Sequence, residues 1–222
     1  MKIRRLFCLI ITVVLLFSLH LPVYAADSRG SDLGDIVVWI CASKEGNASS
    51  ASLNGHAWLI IENLSDVRVP IGPYTMSADE TITLGAFNSR YNASSPAVWI
   101  NLEANYVHEE DTYSDVIALR LMIDASDFST LSDAIDNYSE NLYYPTDSEI
   151  LANPDVLASA YTCVDFALDV WHAIGGTPLS VNSTPSTATG LWNKINSMSH
   201  YSPNLADYLS YYVSGVTTET FF

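Results

Sequence analysis

The feature that most restricts the fold is a change of hydrophobic period near residue 125. Before it, apolar residues come in short β-rich runs: Ile36 to Ala42, Ala57 to Asn63, Thr81 to Phe87, Ala97 to Glu103 and Asp115 to Ile123. Polar loops or Gly- and Pro-bearing connections separate them, as between strands. The first run is apolar on both alternating faces and reads as a strand buried on both sides. Val67 to Ile71 adds an edge strand carrying Pro70. After the change, Phe128, Leu131, Ile135 and Tyr138 recur at helical spacing, with Ser126 as N-cap and an end near Glu140. Tyr143 to Pro154 reads as loop and Asp155 to Ala160 as a turn of helix. Pro185 to Met198 and Asn204 to Tyr212 read as later helices. Strands first and helices after predict an α+β domain, an antiparallel sheet of about five strands with helices packed on it.

The strongest single helix signal is Tyr161 to Gly176. Thr162 stands at its N-cap, and Gly175 or Gly176 supplies the left-handed stop. Cys163, Phe166, Ala167, Val170, Trp171 and Ile174 make an apolar face, while Asp165, Asp169 and His172 form a wet stripe. Cys163 therefore lies in the first turn. There the free N–H groups and the macrodipole favour thiolate over thiol.

Residues 1–25 read as a secretory signal peptide. Lys2, Arg4 and Arg5 precede an apolar run from Leu6 to Phe17, and Val23-Tyr24-Ala25 forms a small-residue exit. The run is too short for a transmembrane anchor, so stable membrane insertion is not expected. Residues 26–222 then form a single secreted domain with a core of its own. Three of the nine basic residues fall in the signal segment, leaving 6 against 25 acids, a formal charge of −19. Such a surface disfavours nucleic acid. Cys8 leaves with the signal segment. An oxidising compartment offers Cys41 and Cys163 a disulfide, but a chain with 49% hydrophobic residues needs no staple. Cys41, inside an apolar strand, reads as a packing residue.

A reactive Cys163 requires a base. His172 is nine residues along the same helix and points to its opposite side. His108 and His200 fall in polar loops. His56 differs: it follows Gly55 at the mouth of a core strand, where a rigid element can hold an imidazole at the sheet edge. Gly55-His56-Ala57-Trp58-Leu59, followed by Tyr161-Thr162-Cys163-Val164-Asp165-Phe166-Ala167, resembles the circularly permuted branch of the NlpC-type papain-like superfamily, in which the histidine strand precedes the cysteine helix. The resemblance extends to Leu84 to Phe87, to Val98 to Glu103 and to the Thr184 to Leu191 segment.

That resemblance implies a permuted papain-like fold with Cys163 as nucleophile and His56 as general base and acid. The bond attacked is an amide or ester, and the Cys163 backbone N–H forms part of an oxyanion hole. A third polar residue orienting the imidazole is expected on the strand after the histidine strand. Antiparallel pairing of the two strands points to Asn88, with Thr83 and Glu62 behind it. No second histidine stands there, a departure from the commonest pattern. By analogy with the superfamily the substrate class to test first is cell-wall peptide, with another amide as the wider class. No cofactor or metal is implied: HExxH, a phosphate loop, a Gly-x-Ser-x-Gly elbow and an EF-hand loop are all missing from the sequence. Trp39, Trp58, Trp99 and Trp171 read as core, and Tyr143-Tyr144 and Tyr211-Tyr212 as packing, with the lining of a cleft as the second reading. A non-enzymatic secreted binding domain, with Cys163 buried or disulfide-bonded, is the alternative from another class. A thiol acyltransferase using the same dyad is the third.

Overall fold

The computed structural model describes residues 36–44, 55–72, 74–87, 97–103, 116–124, 127–181, 186–201 and 219–220. Leu33–Phe222 form one compact unit, and the stretch read as a signal peptide lies outside the described residues.

The five expected strands are all present. They are β1 (Ile36–Ala42), β2 (Ala57–Asn63), β5 (Thr81–Phe87), β6 (Ala97–Ile100) and β7 (Ile117–Ile123). With β8 (Glu219–Thr220) they form one antiparallel sheet in the order β7-β1-β2-β5-β6-β8. The edge strand read at Val67 to Ile71 is β3 (Val69–Ile71), which pairs with β4 (Tyr74–Met76) in a separate hairpin. The helices are α1 (Phe128–Ser139), α2 (Asp147–Ala152), α3 (Cys163–Ala173) and α4 (Ala188–Asn196), with a 3-10 helix at Pro154–Ser159. The chain is therefore α+β, with α1 to α4 following β1 to β7 in sequence and β8 coming after them.

Every residue of β1 is buried, so alternation sorts its side chains between two apolar layers. Ile36, Val38, Ile40 and Ala42 share a core with Leu59 and Ile61 of β2 and with Leu131, Phe166, Trp171 and Leu191 of the helices. Val37, Trp39 and Cys41 face the other way and pack with Trp58, Ile60, Val116 and Ala118. Helix α3 lies over β1, β2 and β5 and against α1. Phe166 and Trp171 are its fully buried anchors, each stabilising the fold by roughly 1.5–3 kcal/mol. Gly175 ends it at φ +82, and Phe166, Ala167, Val170, Trp171 and Ile174 of the apolar face read from the sequence are buried, joined by Val164 and Leu168, while Cys163 is only partly buried.

Several boundaries differ from the sequence reading. The fourth strand stops at Ile100 rather than Glu103, because Asn101 takes a left-handed conformation (φ +57) that asparagine tolerates. Asn101 stays attached to β5 through two hydrogen bonds with Thr83: its N–H donates to the Thr83 carbonyl (3.0 Å), and its side-chain oxygen accepts the Thr83 N–H (2.9 Å). The chain then leaves the strand direction, and Glu103 turns inward. Tyr143 to Pro154 is not all loop. It contains α2, whose N-cap Thr146 accepts the Glu149 N–H while the Glu149 carboxylate accepts the Thr146 N–H. Six residues are too few for a hydrophobic period, although the Thr-x-x-Glu signature was legible. Helix α1 begins after Asp127; Ser126, and the helix read at Asn204 to Tyr212, lie outside the described residues.

Candidate active site

Local backbone geometry fixes His56 before its side chain is considered. Gly55 has φ +79, and a Cβ there would strike the Ser43 carbonyl. Ser43 then holds His56 from both sides: its N–H donates to the His56 carbonyl (2.9 Å), and its hydroxyl oxygen accepts the His56 N–H (3.0 Å). The imidazole stacks on Trp58 (centroids 5.5 Å apart, 12° between planes) and leans on Phe87 (4.5 Å). It is 4% exposed.

Nε2 of His56 lies 3.0 Å from Oε1 of Glu103, a carboxylate with no solvent exposure. The other carboxylate oxygen, Oε2, accepts the Thr83 hydroxyl at 2.5 Å. Gly85 on β5 makes this arrangement possible, because a Cβ there would collide with the Glu103 carboxylate and press on the His56 ring. With Nε2 engaged by Glu103, Nδ1 is the ring nitrogen left for the thiol. The His56 and Cys163 side chains lie close enough for each to shift the other's pKa.

Cys163 is the first residue of α3 and is partly exposed. Its first turn is secured by the Asp165 carboxylate, which accepts the Thr162 N–H (2.9 Å) and hydroxyl (3.2 Å). Burial disfavours the thiolate, yet the neighbouring His56 imidazolium and the Ala57 N–H outweigh it. The Cys163 pKa is held below the usual thiol value. Burial likewise works against a charged His56, but Cys163 and then Glu103 reverse it, and its pKa is pushed up to about 9. Both shifts favour the same state, a thiolate beside an imidazolium. Cys41 is the opposite case. Burial, with the charges of Glu103 and Glu62, pushes its thiol well up. Cys41 and Cys163 are both free thiols.

Two of the sequence candidates thus meet, Cys163 and His56. Asn88, the third, lies outside the described residues, and the carboxylate of Glu103 takes the place beside the ring. Thr83 enters one bond further out, supporting Glu103. Glu62 is turned away, accepting the Trp39 indole N–H at 2.6 Å. Of the other histidines, His172 is exposed, its Nε2 accepting the Leu179 N–H (3.0 Å). His200 Nδ1 lies 2.9 Å from the Met198 carbonyl, and His108 is outside the described residues. Asp165 and Asp169 are less wet than their spacing suggests, since Asp169 accepts the Tyr161 hydroxyl at 2.6 Å.

Sequence reasoning gave Glu103 no site role and read Tyr144 as packing ahead of lining a cleft. A glycine in the middle of β5 was the available signal for the first, since such a residue marks close approach by another group. For the partners of Tyr144 there was none. Its hydroxyl donates to the Ala86 carbonyl (2.9 Å) and accepts the Cys163 N–H (2.8 Å), contacts that only the folded chain creates. Among the described residues no cluster of three or more His, Cys, Asp or Glu could hold a metal ion, and no helix is long and apolar enough to cross a membrane. Comparison of the chain with protein-family models, with curated proteins and with solved structures gives no match.

Proposed function

We propose that this protein is a secreted cysteine hydrolase of the permuted NlpC-type, papain-like kind, cleaving an amide with Cys163, His56 and Glu103. The observation that carries the proposal is the imidazole of His56, held between a buried carboxylate at 3.0 Å and the thiol at the head of α3. The Cys163 sulfur attacks the carbonyl carbon, and the imidazolium gives its proton to the departing amine. A thioester remains. Neutral His56 then takes a proton from water, whose oxygen attacks the thioester and releases acid and thiolate. Glu103 keeps the ring oriented and favours its protonated form, the part a carboxylate plays in other triads. Two free thiols support this reading over that of a disulfide-stapled binding domain.

Cell-wall peptide is the proposed substrate, by analogy with the superfamily, and the export signal read at residues 1–25 would deliver the enzyme to it. The test is to incubate purified protein, and its Cys163→Ala variant, with wall peptide and with a panel of peptide amides and esters. Release of new amino or acid groups by the first and not the second is expected. Identical digests from both on every member of the panel would end the hydrolase reading.

A further inference from the structure

The Cys163 N–H donates to the Tyr144 oxygen at 2.8 Å. Oxyanion-hole donors keep about 2.7–3.1 Å to the oxygen they stabilise. The Tyr144 oxygen therefore stands where a substrate carbonyl oxygen would stand once its carbon had met the Cys163 sulfur. Its proton is engaged as well, on the Ala86 carbonyl.

Resting on the hydrolase reading, we propose that Tyr144 is a latch: in the resting protein its hydroxyl fills the carbonyl-oxygen subsite, and a substrate must displace it from the Cys163 N–H to acylate the thiol. The chain around Tyr144 is built to yield. Residues 145–160 leave the domain between Tyr144 and Tyr161 and return just before Cys163. The excursion consists of α2 and the 3-10 helix, neither with a buried residue, and the two pack on each other. Leu151 is 85% exposed. The base is closed by reciprocal backbone hydrogen bonds between Tyr143 and Tyr161 (2.8 and 2.9 Å). Segments with so little buried surface open at low cost, whereas α3 and β5 on either side are core.

The test compares two reactions of Cys163 in wild type and in Tyr144→Phe. Acetylation by p-nitrophenyl acetate passes through an oxyanion, while alkylation by iodoacetamide does not. Their ratio cancels any change in thiolate content. A latch predicts that the ratio rises about 2- to 10-fold in the variant, the range of one competing hydrogen bond removed. Tyr144→Leu should shift it in the same direction. A fall in the ratio would mean that the hydroxyl donates to the oxyanion, and no change would mean that it does not occupy the subsite; either overturns the latch. Should the variants not fold, hydrogen exchange on wild type still decides. Acetylated Cys163 speeds amide exchange across 145–160 if Tyr144 is displaced, and unchanged exchange contradicts it. A wild-type Cys163 that reacts with neither reagent removes the hydrolase reading itself, and the latch with it.

Discussion

Glu103 and His56 approach to 3.0 Å as a buried pair, across 47 residues of chain. The pair needs two backbone features: the left-handed turn at Asn101 that brings Glu103 inward, and the missing side chain at Gly85 that leaves it room.

Replacing Glu103 tests the orienting role. Glu103→Gln keeps a polar group of the same shape but removes the charge that favours a protonated ring. With His56 raised to about 9, the imidazolium is present below that pH and lost above it. kcat/KM should therefore fall on an alkaline limb near pH 9, a value belonging to the coupled Cys163–His56 pair. In Glu103→Gln the limb should move to lower pH, with a loss smaller than the ~10²–10⁴-fold expected for His56→Ala. A limb that stays in place would show that Glu103 does not tune the ring.

Gly85→Ala puts a methyl group into the space shared by Glu103 and His56. Overpacking of this kind costs about 1–3 kcal/mol, and the displaced groups should take activity with them. A thermal melt and a rate measured on the same sample check both effects. A variant as stable and active as wild type would contradict the packing described.

Thr83→Val removes the donor to Glu103 Oε2 and leaves a buried carboxylate oxygen unmatched, at about 1–3 kcal/mol. Thr83→Ser keeps the hydroxyl and should recover most of that stability. Equal denaturation midpoints for the Val and Ser variants would rule out a structural role for this bond.

The sequence made the fold class legible because the strands stood out as short β-rich apolar runs bounded by polar or Gly- and Pro-bearing connections, and α3 carried an apolar face and a terminal glycine. It also made Cys163 and His56 legible, since each sits at a marked element boundary. Glu103 was hidden because it stands only three residues after Ile100, so the run looked like unbroken strand until Asn101 was seen to turn. Tyr144 was hidden because its partners, Ala86 and Cys163, lie 58 residues before and 19 after it. Local patterns do not reach that far. The short α2 escaped because a six-residue helix without a buried face has no period to read.

The most direct test of the central claim is the pH dependence of thiol alkylation, mapped to residues by mass spectrometry. An ordinary cysteine, with a pKa of about 8.5, is almost wholly protonated at pH 6, whereas a thiolate held by His56 is not. The account predicts rapid labelling of Cys163 by iodoacetamide at pH 6 and none of buried Cys41. It also predicts that His56→Ala slows the Cys163 reaction by on the order of 10²-fold, the penalty of returning to an ordinary thiol. Labelling of Cys163 that climbs only above pH 8 in wild type, or is unchanged in His56→Ala, would contradict it.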